Sequence, residues 1–265
     1  MNNSYGFESI QRQLLKELLL FDQLCRENNI YYSLHGGTLL GAERNHEFIP
    51  WDDDVDISMT RENYNKFKKI IELKKYKYLV LYEDILWCSR LVYIADTSPV
   101  FMDILIYDYI TDNSFGSILK IFLLRVLQGM IKSRENLTFK GRNVFYCFSI
   151  FATCILGAFF PLTKKLDWYH ELSENRLLGC KTSIHRSNDT FYGIAHIFDR
   201  GFMEEYKDIA FEKHVFMVNK RYKEFLVRSY GDNYMTPPPE NERRHQHEGH
   251  RKTIEKRLDS QGDTF

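Results

Sequence analysis

Between His35 and Ile57 the chain joins a glycine pair, Gly36-Gly37, to a run of acids, Trp51-Asp52-Asp53-Asp54-Val55-Asp56-Ile57. In an extended strand side chains alternate between faces. Asp52, Asp54 and Asp56 are therefore expected on one side, with Val55, Ile57 and Met59 toward the core. Three carboxylates on one face repel each other unless a cation sits among them. Hard, oxygen-preferring ions such as magnesium or manganese suit that arrangement and are commonly shared with substrate phosphates. The upstream half offers a seat for those phosphates. Tyr31 to Leu34 reads as a short strand, Gly36 and Gly37 permit close backbone approach, and Thr38 is expected to N-cap a helical turn through Leu39 and Leu40. Backbone N–H groups at a helix start bind anions. Alone, a Gly-Gly pair is an ordinary turn; joined to these acids it marks a phosphate and metal site.

The run Leu34-His35-Gly36-Gly37-Thr38-Leu39-Leu40-Gly41-Ala42, then Arg44, then Phe48-Ile49-Pro50-Trp51-Asp52-Asp53-Asp54-Val55-Asp56-Ile57, resembles the signature of LicD-type phosphotransferases, relatives of fukutin. Asn45 and Glu47 depart from it, standing where the family usually has His and Gly. The resemblance implies a nucleotidyltransferase-like fold. It also implies transfer of phosphocholine or a polyol phosphate from a CDP-activated donor onto a glycan or its lipid-linked precursor. Such folds draw a third carboxylate from a neighbouring strand, and Asp103 lies in the apolar run Val100 to Tyr107. A buried charge there needs a cation or a strong donor. Asp103 also reads as a strand acid paired with a core Lys or Arg. Asp103 and Asp108 fall where the family carries Asp-Ile-Phe-Pro-x-Asp, with Leu105 and Ile106 replacing Phe and Pro; Asp108 also reads as a solvated strand-end acid. Tyr230 to Pro239, followed by His245, resembles the family's C-terminal signature.

Other acid-rich motifs fit less well. A calcium EF-hand loop opening at Asp52 needs Gly at 57 and Glu at 63, where Ile57 and Asn63 stand. A phosphatase-like Asp-x-Asp-x-Ser is met by Asp54, Asp56 and Ser58, but no apolar strand leads into it. The Asp-x-Asp of a metal-dependent glycosyltransferase remains an alternative, as does an inactive glycan-binding relative.

On the transferase reading, magnesium or manganese held by Asp54, Asp56 and Asp103 bridges the donor pyrophosphate and aligns an acceptor hydroxyl for in-line attack. Asp53 or Asp52 is the candidate proton acceptor. His35, Gly36, Gly37 and Thr38 form the phosphate seat. Arg44 and Arg90 are expected to grip phosphate oxygens, or to form ion pairs instead. A quaternary ammonium needs aromatic walls, and Trp51 and Tyr234 lie beside the motifs.

The elements that must hold these residues follow from periodicity. Phe7 to Asn28 repeats Ile10, Leu14, Leu18, Phe21 and Cys25 at helical spacing. Thr60 is expected to cap a helix burying Tyr64, Phe67 and Ile71. Strands are expected at 78–82, 91–95, 100–107 and 214–218, and a helix at 219–230 closed by Gly231. The expected fold class is α/β (α+β): a nucleotidyltransferase-like mixed sheet flanked by helices, with a hydrophobic helical insert. Residues 1–113 and 163–240 would form the catalytic domain, 114–162 the insert and 241–265 a polar tail. Within the tail, His245, His247, His250 and Glu248 either chelate a metal or stay solvated.

Residues 144–162 carry no charge, which just reaches a bilayer span; a buried helix or a hairpin dipping into the membrane surface fits equally, with Arg134 to Arg142 as a basic link. Peripheral membrane contact through 114–162 at the inner face of the membrane is the expected placement. The start of the chain does not read as a signal peptide. Five cysteines without a Cys-x-x-Cys suit reduced core thiols in the cytoplasm. With 265 residues, 44% hydrophobic content and zero formal net charge, the chain can bury a substantial core and is not expected to bind nucleic acid.

Overall fold

In a computed structural model, residues 5–74, 76, 79–83, 87–94, 100–132, 144–174 and 182–243 are described. The histidines of the tail, Cys180 and the basic link from Arg134 to Arg142 lie outside the described residues. The chain forms two compact units, one from 1–82, 90–104 and 201–265, the other from 83–89 and 105–200. Strands and helices mix as expected, giving a mixed sheet flanked by helices.

In the first unit, helix α1 (Glu8–Glu27) buries Leu14, Leu18, Phe21, Leu24 and Cys25, the stripe set by its helical spacing. Phe21 meets Tyr32 and Phe67 edge-on, with ring centroids 4.9 and 5.1 Å away. Complete burial of one such ring stabilises by about 1.5–3 kcal/mol. Strand β1 (Ser33–Leu34) leads into helix α2 (Gly36–Arg44) and pairs antiparallel with β2 (Val55–Thr60). Thr60 Oγ1 accepts from Asn63 N at 3.4 Å and so caps helix α3 (Arg61–Lys74), whose Tyr64, Phe67 and Ile71 are buried. Strands β3 (Leu79–Tyr82), β4 (Ser89–Tyr93) and β5 (Val100–Ile110) complete the order β1-β2-β5-β4-β3.

Strands β8 (Tyr206–Phe211) and β9 (His214–Asn219) make an antiparallel hairpin. Its turn residues Glu212 and Lys213 take left-handed φ values of 51° and 63°. Asn219 N donates to Ser33 Oγ at 3.1 Å, fixing the hairpin to β1. Helix α7 (Tyr222–Tyr230) ends at Gly231, whose φ of 78° and N–H bond to Val227 O at 2.8 Å form the expected stop.

In the second unit, the latter half of β5 pairs antiparallel with β6 (Ser183–Arg186), and β6 with β7 (Ile197–Asp199). Helices α4 (Ser114–Ile131), α5 (Val144–Gly157) and α6 (Leu162–Glu174) pack beside them around Leu124, Ile131, Leu166, Tyr169 and Ile194. Helix α5 has 14 residues. That is about 21 Å at the α-helical rise, short of a hydrocarbon core of about 30 Å. The chain then bends by 115° into α6, and among the described residues no single helix is long and apolar enough to cross a membrane.

The lysines that punctuate this apolar stretch have a structural use. Lys165 Nζ donates to Met130 O at 3.0 Å and Gly157 O at 3.1 Å, carbonyls at the ends of α4 and α5. Lys120 Nζ donates to Tyr109 O at 2.9 Å and to Ser173 O, at the end of α6, at 2.8 Å. An ammonium is well matched to the negative end of a helix, and burial excludes the water that would otherwise satisfy those carbonyls.

Replacing Lys120 with Met keeps the bulk and removes the donor. Two buried carbonyls losing their donor are expected to cost about 2–4 kcal/mol, lowering the melting temperature by about 5–15 °C. Thermal unfolding followed by circular dichroism checks this, with the exposed Lys164→Met as the control that leaves melting unchanged.

Candidate active site

Strand β1 stops at Leu34, and His35 continues extended, with φ −140° and ψ 174°, as the residue before α2. Its N–H bonds Asp56 O at 2.9 Å, and its ring lies on Phe225 of α7 with centroids 4.0 Å apart. Gly36 then takes a left-handed φ of 52°. A Cβ on Gly36 would collide with the Asp56 carboxylate, and one on Gly37 with the Asp52 carboxylate. The glycine pair is required because two acids pack directly against its backbone. Thr38 differs from its expected role as a helix cap: α2 begins two residues earlier, and Thr38 Oγ1 instead accepts from Asp56 N at 3.0 Å.

The acids differ from the sequence reading in one respect. Strand β2 starts at Val55, so Asp52, Asp53 and Asp54 precede it and do not follow strand alternation. Asp53 and Asp54 are buried and Asp52 and Asp56 partly so. The loop carrying them is held from both sides. Gln11 Nε2 on α1 donates to Ile49 O at 3.1 Å and Asp52 O at 2.9 Å. Glu212 in the β8–β9 turn accepts from Phe48 N at 2.9 Å, and its own N–H bonds His46 O at 2.8 Å. His46, between the two positions that depart from the family pattern, takes a left-handed φ of 60°.

Burial is the largest influence on Asp54, raising its carboxyl well above the usual range; Asp56, Asp52 and Asp103 raise it further, and Asp52 shares a hydrogen bond with it. Three carboxylates thus act on Asp54 here. Asp103 is also bound by Arg90, through Nε at 2.6 Å and Nη2 at 3.2 Å, while the guanidinium lies over Phe101 at 4.9 Å. Both side chains of this pair are largely buried. A further acid escaped the sequence reading: Glu17 on α1 is fully buried, and burial followed by Asp103 holds its carboxyl well above the usual range. It sits within an otherwise regular apolar stripe, which gave no signal of its electrostatic neighbours.

The other expected site residues have identifiable contacts. Arg44 Nε donates to Tyr234 O at 2.5 Å and Nη2 to Thr236 O at 3.2 Å, so it holds the loop before the prolines. Trp51 meets Tyr5 edge-on at 5.8 Å and carries the Arg243 guanidinium over its ring at 4.7 Å. Asp108, in the second unit, is buried and accepts from Ser187 Oγ at 2.5 Å, unlike a solvated strand-end acid. Around it run Arg186 to Asp189 at 2.8 Å, Arg186 to His196 at 3.1 Å, and Tyr169 OH to Ser187 O at 2.6 Å. Burial, reinforced by Lys120, lowers the His185 imidazole to about 4, so it is neutral near pH 7. This network joins distant segments and has no local sequence signature.

Residues 29–115 match the LicD/FKTN/FKRP nucleotidyltransferase domain family. Over that segment the chain is similar to this family. The LicD resemblance extends well beyond that segment: the lipopolysaccharide cholinephosphotransferase LicD of Haemophilus influenzae is 28% identical over 253 residues, covering 86% of this chain and 90% of that protein. Shorter stretches match two uncharacterised Rickettsia proteins. RP689 of Rickettsia prowazekii is 39% identical over 72 residues, covering 27% of this chain and 26% of its own. RT0683 of Rickettsia typhi is 42% identical over 59 residues, covering 22% and 18%.

Among the described residues no three His, Cys, Asp or Glu side chains converge as a preformed metal cage. The LicD-type acids still suit a hard cation. Asp54 is a buried oxygen donor whose anion is opposed by its neighbours, and magnesium commonly takes only one or two carboxylates, completing its shell with phosphate oxygens and water. The arrangement therefore fits a cation held by Asp54 and Asp56 together with substrate, leaving Asp103 to Arg90.

Because the folded-state pKa of Asp54 is raised, its ionisation opposes folding, and stability is lost as pH rises through that pKa. In EDTA, Asp54→Asn is expected to melt above wild type by a margin that grows as pH rises above the unfolded carboxyl range of about 4. Asp103→Asn is expected to lose about 3 kcal/mol, since it leaves Arg90 buried without its carboxylate. Melting curves across pH check both; a more stable Asp103→Asn would reverse its assignment as the Arg90 partner.

Proposed function

We propose that this protein transfers a phospho-alcohol group, phosphocholine foremost and a polyol phosphate as the other candidate, from a CDP-activated donor to a hydroxyl of a cell-surface glycan or its lipid-linked precursor. The observation that carries this reading is the packing of Asp52 and Asp56 against the side-chain-free turn Gly36-Gly37, beside the buried Asp54. The similarity to the lipopolysaccharide cholinephosphotransferase over 86% of the chain supports the choice of cargo and of a lipopolysaccharide-type acceptor.

The chemistry needs two charges managed at once. The donor pyrophosphate must approach a group of carboxylates, and the leaving CMP must depart as an anion. Asp54 and Asp56 would hold a magnesium or manganese ion that, when bound, neutralises phosphate oxygens shared with the donor. The half-buried backbone of Gly36 and Gly37 at the start of α2 would offer N–H groups to the same phosphates. Arg44 has no carboxylate ion-pair partner among the described residues and keeps part of its guanidinium for a phosphate oxygen. Arg90 is already committed to Asp103 and contributes by fixing that strand.

The acceptor hydroxyl oxygen attacks the phosphorus bonded to the choline oxygen. A new P–O bond forms, the bond from that phosphorus to the bridging oxygen breaks, and CMP carries away the electron pair. Asp53, buried beside Asp54, accepts the hydroxyl proton. Trp51 recognises the choline end: its ring face already takes a cation, Arg243, in the manner a trimethylammonium group requires. Donors of this kind are cytoplasmic, so the reading places the reaction at the inner face of the membrane.

Purified protein incubated with Mg²⁺, a glycan acceptor and CDP-choline, CDP-ribitol, CDP-glycerol or a UDP-sugar, one at a time, tests the reaction. CMP release from CDP-choline or a CDP-polyol is expected, and Asp54→Asn and Asp56→Asn should abolish it while remaining folded. Trp51→Ala is expected to raise the KM for CDP-choline about tenfold and leave that for CDP-ribitol nearly unchanged. Release of UDP alone would make the protein a glycosyltransferase; wild-type turnover in both Asp variants would remove them from the reaction.

A further inference from the structure

The second unit contains a groove that the proposed transfer does not use. Phe122, Val126 and Gly129 of α4 and Ile150 and Thr153 of α5 wall a cavity of about 420 Å³, closed on another side by Trp87, Phe191 and Tyr192. That volume suits a small molecule or part of an acyl chain. Its walls are apolar, but two polar groups face it with needs left open. Arg125 donates Nε to Phe191 O at 3.0 Å and lies over the Phe191 ring at 4.3 Å, yet no carboxylate pairs with it among the described residues. Gln128, almost fully buried, spends its Nε2 on Tyr169 OH at 3.0 Å and Asp189 O at 2.8 Å, and its Oε1 accepts no hydrogen bond among those residues.

A half-buried guanidinium calls for an anion, and a buried amide oxygen calls for a donor. The apolar walls call for hydrocarbon. Phe122, which lines the groove, is 59% exposed on α4, and Phe148 and Phe151 elsewhere on α5 are 71% and 50% exposed. Among the described residues from 114 to 166 there is no acid, while Arg125 and Lys132 line the groove and Lys164 is exposed. A patch of exposed rings in basic surroundings suits a negatively charged bilayer surface.

We propose that the α4–α5 groove binds a membrane phospholipid with an anionic, hydroxyl-bearing headgroup. Its phosphate pairs with Arg125, its headgroup hydroxyl donates to Gln128 Oε1, and an acyl chain lies between Phe122 and Ile150. The exposed phenylalanines of α4 and α5 enter the headgroup region, so the unit lies on the membrane and does not span it. This inference is independent of the transfer reaction, because none of these residues belongs to the aspartate site.

The test is flotation of the full chain with vesicles of phosphatidylcholine alone, or mixed with phosphatidylglycerol or with phosphatidylmethanol, which keeps the phosphate charge and lacks the hydroxyl. Wild type is expected to bind phosphatidylglycerol vesicles, phosphatidylmethanol vesicles less, and phosphatidylcholine vesicles weakly. Arg125→Gln and the surface variant Phe122→Asp should each weaken binding about fivefold or more, with Arg125→Lys recovering part of the loss. CMP release with a water-soluble acceptor should be unchanged in all of them, so the lipid and transferase readings can fail separately. Equal binding by wild type and both variants overturns the proposal. So does equal binding to all three vesicles, or a wild-type chain that covers this face with a second copy in solution and ignores lipid.

Discussion

The first unit is organised around mutual repulsion among carboxylates. Asp52, Asp56 and Asp103 raise the proton affinity of Asp54, in a place where burial already disfavours charge. The chain answers that repulsion locally in three ways. Arg90 takes both oxygens of Asp103, Asp52 shares a hydrogen bond with Asp54, and backbone geometry fixes the remaining acids against a turn without side chains. Such an arrangement costs stability in the absence of a counterion, and a cost of that kind is commonly found where a site must bind something.

Holding the acids requires distant parts of the chain. Gln11 on α1 and Glu212 in the β8–β9 turn anchor the two ends of the loop from Phe48 to Asp52, although they come from distant parts of the sequence. The conformational strain of that turn, with two consecutive left-handed residues, is compensated by the contacts it makes to the loop. The same logic explains Arg44. Its expected work on phosphate is shared with structural work, since it also fixes the Tyr234 to Thr236 segment.

Local periodicity made much of the scaffold legible. Helix α1, the Thr60 cap and buried face of α3, strand β5 and the Gly231 stop all follow from residues within a few positions of one another. The glycine and aspartate residues of the site were legible as types, because few other arrangements put those groups in so short a run. Their geometry was less so. Alternation could not reveal that β2 starts only at Val55, nor that the partner of Asp103 is Arg90, because both depend on which strands pair. The apolar middle was the hardest part to read: Lys120 interrupts it in sequence, Lys165 follows it, and both turn out to bind carbonyls at helix ends. Strands β6 and β7 are too short, and their polar network too dispersed, to leave a local pattern.

The proposed division of labour among the acids, with Asp54 and Asp56 for a cation and Asp103 for Arg90, is tested most directly by manganese binding. Free Mn²⁺ measured by electron paramagnetic resonance, during titration of wild type, Asp54→Asn, Asp56→Asn and Asp103→Asn in the presence of CDP-choline, separates the roles. Wild type and Asp103→Asn are expected to take up manganese, while Asp54→Asn and Asp56→Asn, still folded, do not. Uptake by the Asp54 and Asp56 variants equal to wild type, or loss of uptake in a folded Asp103→Asn as complete as in Asp54→Asn, would contradict it.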